Sequence, residues 1–246
     1  MSTASERLLD SEGAIPEPAS KTDLARKRIR DAIVSGRLAP GAPLNQLRLA
    51  EELGVDQRTV REALAQLVAL GLATRTPHKH ARVVTLSKED LEEIYLIRSV
   101  LEGLAMQFAA EKITTDELAR MRELLPLTGV GSDEESIRRA REANHEFHWI
   151  AIRSAGRPYL AKILKQIWEL AFTYYIEENT TLEQREKSAK IDREFHQSLL
   201  DALERRDGDE AREITSKHIL GDVMPYTISR FAIDPSLLSD GEGESA

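Results

Sequence analysis

Two helix-forming segments lie within residues 46–69, and only about three residues separate them. The first, "QLRLAEELGV", ends at Gly54, a residue suited to the left-handed conformation that closes many helices. The second, "DQRTVREALAQLVALG", starts at Asp56, a favoured N-cap residue, and lines one face with the apolar residues Val60, Leu64 and Leu67. Two short strand-like segments follow, "LATRT" and "ARVVTL", joined by "PHKH". This order predicts a winged helix-turn-helix.

From Ser87 onward helical periodicity dominates, and no segment has convincing strand character. We therefore expect a mainly α protein, in which the winged helix-turn-helix precedes an all-α antiparallel bundle of six to seven helices. Ser87 and Asp90 form a capping-box-like start to this bundle. The expected divisions are a disordered leader, a DNA-binding domain, a helical domain for ligand binding and dimerisation, and a disordered tail, at residues 1–20, 21–86, 87–233 and 234–246.

The charge distribution supports a nucleic-acid partner for the first domain only. Residues 21–86 contain 12 Lys and Arg against 6 Asp and Glu, a net +6, whereas the whole chain carries −8. The absence of cysteine excludes disulfides, Cys-based zinc sites and a Cys nucleophile, and it is compatible with a reducing cytoplasm. No apolar run approaches the ~18 residues needed to span a bilayer, and the N-terminus lacks the pattern of a signal peptide. We expect a cytoplasmic protein with no membrane partner.

The stretch "GRLAPGAPLNQLRLAEELGVDQRTVREALAQLVALGLATRT" resembles the DNA-binding domain of the GntR family of bacterial transcription regulators. The resemblance is carried by five groups of residues: Pro40–Gly41, Leu49–Glu51 with Leu53–Val55, Val60–Leu64, Leu67, and Gly71–Leu72. The helical remainder resembles the FCD type of effector domain of the FadR-like branch. This resemblance implies a ligand-responsive regulator, commonly a repressor, that binds double-stranded operator DNA as a homodimer.

The start of the second helix of such a motif enters the major groove, so its side chains meet bases and phosphates. Arg58 and Arg61 can donate bidentate hydrogen bonds to guanine or phosphate, and Gln57 can bind adenine. The full predicted DNA-binding set adds a backbone-contacting arginine, a phosphate-contacting threonine and three wing residues: Arg48, Gln57, Arg58, Thr59, Arg61, Lys79, His80 and Arg82. The alternative is that these arginines are ordinary exposed charges, with Arg61 paired to a nearby Glu.

Two departures from the resembled family affect this surface. The family usually reads Ser-Arg-Thr-Pro where this chain has "DQRT" at residues 56–59, which displaces the arginine by one residue, about 100° around the helix. The operator sequence is therefore expected to differ from the common one. The wing reads "TPHKHAR" and lacks the usual glycine.

Three histidines lie on the inward stripes of three different helical segments, and Asn144 precedes the first of them by one turn. For each histidine alone, a hydrogen-bonded core residue is the ordinary interpretation. Converging neutral imidazoles, however, are natural ligands for a divalent cation. The FCD resemblance implies a metal held by Asn144, His148, His196 and His218, with Asn144 standing where many relatives have Asp. Zinc is the first expectation, with nickel and manganese as the alternatives.

The same resemblance places Arg98 near the effector cavity, where its guanidinium would clamp a small carboxylate. Glu102 and Tyr174 are expected to line the same site, and a plain Arg98–Glu102 salt bridge is the alternative for Arg98. The resulting prediction is a repressor that senses a small organic acid through a metal-containing pocket. A metal-dependent hydrolase is disfavoured because the chain has no HExxH, so we expect no enzyme. A helical domain with purely structural histidines is the other alternative.

Overall fold

The computed structural model describes residues 20–76, 80–128, 134–172 and 182–231. Lys79, Tyr174, residues 1–19 of the predicted leader and the predicted tail lie outside these ranges. Within them, no helix is both long enough and apolar enough to cross a membrane. The prediction of a mainly α protein with an N-terminal winged helix-turn-helix and a helical bundle is confirmed.

The N-terminal domain consists of three helices and a small antiparallel sheet: α1 (Lys21–Val34), β1 (Pro43–Leu44), α2 (Gln46–Leu53), α3 (Gln57–Ala69), β2 (Ala73–Thr74) and β3 (Ala81–Val83). The strand order is β1-β3-β2, so β3 is central. Gly54 ends α2 with φ +66°, and the Asp56 side chain caps α3 by accepting from the Thr59 backbone N–H, both as predicted.

The Pro and Gly residues of "LAPGAPL" (residues 38–44) are typical of a turn, but the last two residues of this segment form strand β1. Pro43 pairs with Arg82 and Leu44 with Ala81, so this short strand covers the outer edge of β3. Since Leu44 is buried while Pro43 is exposed, the strand contributes one side chain to the core. The core beneath it comes mainly from α1 and α3, including Ile29, Ile33, Val60, Leu64 and Leu67.

The second domain, among the residues described, contains seven α-helices: α4 (Lys88–Lys112), α5 (Thr115–Leu124), α6 (Glu134–Ser154), α7 (Pro158–Phe172), α8 (Leu182–Glu204), α9 (Gly208–His218) and α10 (Met224–Phe231). A 3₁₀ turn (Leu125–Leu127) follows α5, and a π-helical segment (Ile219–Val223) joins α9 to α10. Capping boxes start α4, at Ser87 with Asp90 as predicted, and α5, at Thr114 with Glu117.

Helix α4 is the central element of the bundle, because α6, α7, α8, α9 and α10 all pack against it. Its closest neighbour is α9. A Cβ added at Gly103 would lie 2.6 Å from the Ser216 side-chain oxygen and 3.1 Å from the Arg212 carbonyl oxygen, so glycine permits this approach. The centre of the bundle is not purely apolar, since it also buries Arg98, Glu102 and three histidines.

Candidate functional site

The exposed face of α3 presents three of the predicted DNA-binding side chains. Gln57, Arg58 and Arg61 are exposed, whereas the opposite face of the helix packs into the domain core. Arg48 on α2 is exposed as well, and so are His80 and Arg82 beside the wing. The structure therefore leaves these polar side chains accessible to solvent, and α3 is the second helix of the motif, the one that enters the major groove in a helix-turn-helix.

Two of these arginines are held by acidic side chains one helical turn later. The Arg58 Nε donates to Glu62 Oε1 at 2.9 Å, and the Arg48 Nε donates to Glu52 Oε1 at 2.7 Å. The hydrogen bond from Arg58 is also the main cause that lowers the pKa of Glu62. Arg61 has no ion pair within the described part of the chain, so Arg58, and not Arg61, has the acidic partner.

Thr59 and Arg82 already have partners within the domain. Thr59 is buried, and its hydroxyl donates to Asp56 Oδ2 at 3.1 Å while its backbone N–H donates to Asp56 Oδ1 at 2.8 Å. The geometry thus gives its side chain a capping role, and the predicted phosphate contact stays a prediction. The Arg82 Nη1 donates to the Gly41 carbonyl at 2.8 Å, which ties the wing to the turn before β1.

His148 on α6 and His196 on α8 meet in the core of the second domain. Their Nε2 atoms are 3.1 Å apart, and both rings pack at an angle against Phe147. The Nδ1 atom of each ring is buried without a hydrogen-bond partner of normal geometry among the described residues. Burial, with the nearby His218, lowers the pKa of His196 to about 3, and burial also holds the pKa of His148 well below its usual value. Both imidazoles are therefore neutral at pH 7.

His218 lies at the end of α9, between two carboxylates. Its Nδ1 is 3.1 Å from Asp222 Oδ2, and its Nε2 is 3.6 Å from Asp192 Oδ1. Burial lowers the pKa of His218 to about 4, although the Asp222 carboxylate opposes this shift. Burial, and then the charge of Asp222, raises the pKa of Asp192 to about 7. Asp222 lies in the π-helical segment, a type of irregularity that often marks functional sites.

The structure brings the predicted metal-binding histidines into one region, but it does not bring all three together as one set of metal ligands. The Phe195 ring stacks on His218 at a centroid distance of 3.9 Å and on His148 at 5.6 Å. In the described ranges, no three His, Cys, Asp or Glu side chains come close enough together to hold a metal ion. Asn144 is half-buried, one turn before His148 on α6.

Arg98 and Glu102 form a buried ion pair beside the histidines. The Arg98 Nε donates to Glu102 Oε1 at 2.6 Å, and the Trp168 indole N–H donates to the same oxygen at 2.7 Å. The guanidinium lies 5.0 Å from the centroid of the Tyr95 ring and 5.2 Å from that of Trp168. Burial opposes the charge of Arg98, but Glu102 and Tyr95 outweigh burial, so the pKa of the guanidinium stays above its usual value.

Sequence reasoning left two residues out of the candidate site, Asp192 and Trp168. A repeated pattern could have indicated the first, because "NHEFH" at residues 144–148 and "DREFH" at residues 192–196 both read Asx-x-Glu-Phe-His. Asp192 therefore has the same place relative to His196 that Asn144 has relative to His148. No comparable signal marks Trp168, whose contacts with Glu102 and His148 depend on the packing of three helices.

Comparison with known families assigns both domains. Residues 21–83 match the family described as "Bacterial regulatory proteins, gntR family", and residues 93–221 match the FCD domain. The second match alone spans more than half of the chain, and it includes Arg98, Glu102 and the three buried histidines.

Individual proteins are similar over most of their length. The "Probable D-xylose utilization operon transcriptional repressor" of Paenarthrobacter nicotinovorans is 32% identical over 218 residues, which cover 85% of this chain and 92% of that protein. The "HTH-type transcriptional regulator McbR" of Escherichia coli K12 is 30% identical over 197 residues, 79% of this chain and 85% of McbR. The solved structure of E. coli McbR/YncC superposes with a TM-score of 0.73 at 27% identity, covering 87% of this chain and 100% of that one.

Proposed function

The chain belongs to the GntR family of bacterial regulatory proteins, and on that premise we propose that it is a repressor that releases operator DNA when a small organic acid binds in its FCD domain. The observation that carries the DNA-binding part is the exposed polar face of α3, with Gln57, Arg58 and Arg61 on one side and the domain core on the other. Similar proteins named as transcriptional repressors support the direction of control.

Titration of a fluorescent duplex taken from upstream of its own gene tests this proposal, with a scrambled duplex for comparison. We expect sequence-selective binding that weakens as salt rises, because arginine contacts release counterions from the phosphates. Arg61→Ala should lose most of the selectivity, whereas Arg120→Ala, an exposed arginine on α5, should bind like the wild type. Equal affinity for both duplexes, or none for either, would contradict operator recognition.

The proposed effector site centres on the Arg98 guanidinium. Its Nε is occupied by Glu102, but a guanidinium carries two further nitrogens that can donate a bidentate pair to a carboxylate. The packing of Tyr95 and Trp168 around the guanidinium excludes water and so strengthens such a pair. A thermal-shift screen of small carboxylates tests this assignment. A binder should stabilise the wild type, and Arg98→Lys should reduce that shift because an ammonium lacks the fork geometry.

We further propose that the histidine cluster holds a divalent cation, with zinc first and nickel or manganese as alternatives. The residues are of the types that bind such a cation: three imidazoles that are neutral at pH 7, and the oxygen donors Asn144 and Asp192. The Nδ1 atoms of His148 and His196 have no hydrogen-bond partner of normal geometry among the described residues. The separations of 3.1 Å for His148–His196 and 3.6 Å for His218–Asp192 are near the roughly 3.3 Å between neighbouring ligands on zinc. Because the two pairs do not converge here, binding requires them to approach each other.

When bound, the cation would supply positive charge that attracts the effector carboxylate beside Arg98. Elemental analysis of untagged protein, and unfolding with and without a chelator, test the proposal. We expect about one zinc per chain and a raised melting temperature, since ligand at 100 times its Kd stabilises by about 2.7 kcal/mol. His196→Ala should abolish both effects. Glu194→Gln, an exposed change on the same helix, is the matched control. Metal-free protein with no response to zinc or nickel would leave the histidines structural.

The proposed homodimer uses large apolar side chains that α4 and α7 leave exposed. Leu96 and Val100 lie one turn apart on α4, and Tyr159 and Ile163 lie one turn apart on α7, which packs against α4. Two copies joined through these side chains would present two copies of α3 to a palindromic site. Light scattering at several concentrations should give twice the monomer mass. Val100→Glu should give the monomer mass, whereas an unchanged dimer would place the interface elsewhere.

A further inference from the structure

We propose that one turn of α7, Trp168 to Ala171, positions the DNA-binding domain according to the state of the Arg98–Glu102 pair. This inference rests on the proposed regulatory function but assigns a role to Glu169, Leu170 and Ala171, which neither the DNA surface nor the effector site includes. The observation behind it is that, of four consecutive residues, the first contacts the proposed effector site and the next two contact the DNA-binding domain. We call residues 168–171 the coupling turn.

The first residue of the coupling turn contacts the proposed effector site. Trp168 donates its indole N–H to the Glu102 oxygen that also receives Arg98, and its ring lies 5.4 Å from that of His148 between centroids. A ligand that recruits the Arg98 guanidinium changes what Glu102 can accept, and therefore changes the hydrogen bond that holds Trp168. Trp168 is almost fully buried, so its ring cannot shift without moving its neighbours.

The next two residues contact the DNA-binding domain. Glu169 Oε1 accepts from Arg30 Nη1 of α1 at 3.2 Å, and both side chains are largely shielded from solvent. Leu170 packs onto the core of the N-terminal domain, and its methyl groups lie 3.7 and 3.9 Å from the position of a Cβ on Gly71. Gly71 follows the last turn of α3, so Leu170 contacts the C-terminal end of the helix whose other end is turned toward DNA.

The last residue fixes the turn to the region where the two domains join. Ala171 belongs to a small buried cluster with Leu91 and Tyr95 of α4 and Ile219 of the π-helical segment, and Leu86 of the interdomain connection packs against it. Residues 168–171 form one turn of a continuous helix, about 5.4 Å long, so they move as a unit. A displacement at Trp168 is therefore transmitted to the contacts with Arg30 and Gly71.

Coupling of this kind is reciprocal, so a change at either end must be measurable at the other. The chain has two tryptophans, and Trp149→Phe leaves Trp168 as the only fluorophore of that type. In this background, Glu169→Gln removes the charge that pairs with Arg30. We expect it to shift the Trp168 emission, whereas Glu142→Gln, which breaks an exposed pair with Arg138 inside the helical domain, should not.

Hydrogen–deuterium exchange measures the coupling in the opposite direction, from the effector site to the DNA-binding domain, and needs neither DNA nor ligand. Trp168→Phe keeps the ring but removes the N–H donor to Glu102, and we expect faster exchange at residues 30–36 and 69–72 of the other domain. A purely structural role would confine the change to residues 88–231. Identical emission of the Glu169→Gln and Glu142→Gln proteins, or exchange confined to the helical domain, would overturn the coupling turn.

Operator titration then separates this inference from the proposed function. We expect Glu169→Gln to change operator affinity by about fivefold or more, the lower end of typical allosteric couplings, and Glu142→Gln to leave it unchanged. Wild-type protein that binds no operator would refute the regulatory function alone. In that case Trp168 emission and hydrogen–deuterium exchange still decide whether the coupling turn joins the two domains. Normal operator affinity in Glu169→Gln would refute the positioning role while leaving operator recognition intact.

Discussion

Glu102 provides a direct test of how the centre of the helical domain is held together. Glu102 is 1% exposed, and its Oε1 receives both Arg98 and Trp168. Glu102→Gln keeps the size of the side chain and an amide oxygen that can accept a hydrogen bond, but it removes the negative charge. Arg98 is then a buried guanidinium without a counter-ion. Removing one partner of such a pair costs about 3–5 kcal/mol.

In a domain of this size, that cost corresponds to a fall in melting temperature of roughly 6–20 °C. Urea unfolding followed by circular dichroism measures it directly. Glu142→Gln, which breaks an exposed pair with Arg138, should cost less than about 1 kcal/mol. Arg98→Met combined with Glu102→Gln should recover much of the loss, because no unpaired charge remains. Equal losses for Glu102→Gln and Glu142→Gln would refute the reasoning, since Arg98 would then not depend on Glu102.

Three further substitutions test the N-terminal domain. Arg61→Ala should weaken operator binding about tenfold in anisotropy titrations and affect the scrambled duplex much less, and an equal loss on both duplexes would show that Arg61 contacts phosphate and not a base. Glu62→Gln should tighten DNA binding, because it releases Arg58 and removes a negative charge near the phosphates; weaker binding would mean that the pair orders Arg58 for recognition. Gly71→Ala should cost about 1–2 kcal/mol in urea unfolding, since Gly71 has φ +76°, and a neutral result would show that the turn relaxes.

The elements of both domains were predictable wherever a local signal exists. Gly54, Asp56, and Ser87 with Asp90 mark helix ends through side-chain and backbone preferences that need no tertiary context. Strand β1 was missed because pairing of Pro43 and Leu44 depends on β3, about 40 residues later. The inward positions of His148, His196 and His218 were also predictable, because helical period alone places them on buried faces.

Relations between side chains were less predictable than their burial. The sequence permitted an Arg61–Glu pair, but the i, i+4 spacing on α3 selects Arg58 and Glu62. Helical period likewise gave no reason to expect Phe195 to stack on both His148 and His218. Asp192 reaches His218 only because α8 and α9 pack side by side, which periodicity within one helix cannot show.

The composition of the bundle centre is difficult to explain by stability alone. A buried ion pair is often no more stabilising than apolar residues of the same volume. The buried Nδ1 atoms of His148 and His196 have no hydrogen-bond partner of normal geometry among the described residues, and they carry a desolvation cost. Local departures from optimal packing are expected where a protein binds something. Here they lie next to Trp168, the residue that begins the contact with the DNA-binding domain. A less stable centre can rearrange at low cost in free energy. Among the contacts described, the coupling turn is the only helical turn that joins this centre to both α1 and the end of α3. A rearrangement at the centre would therefore reach the DNA-binding domain through the coupling turn.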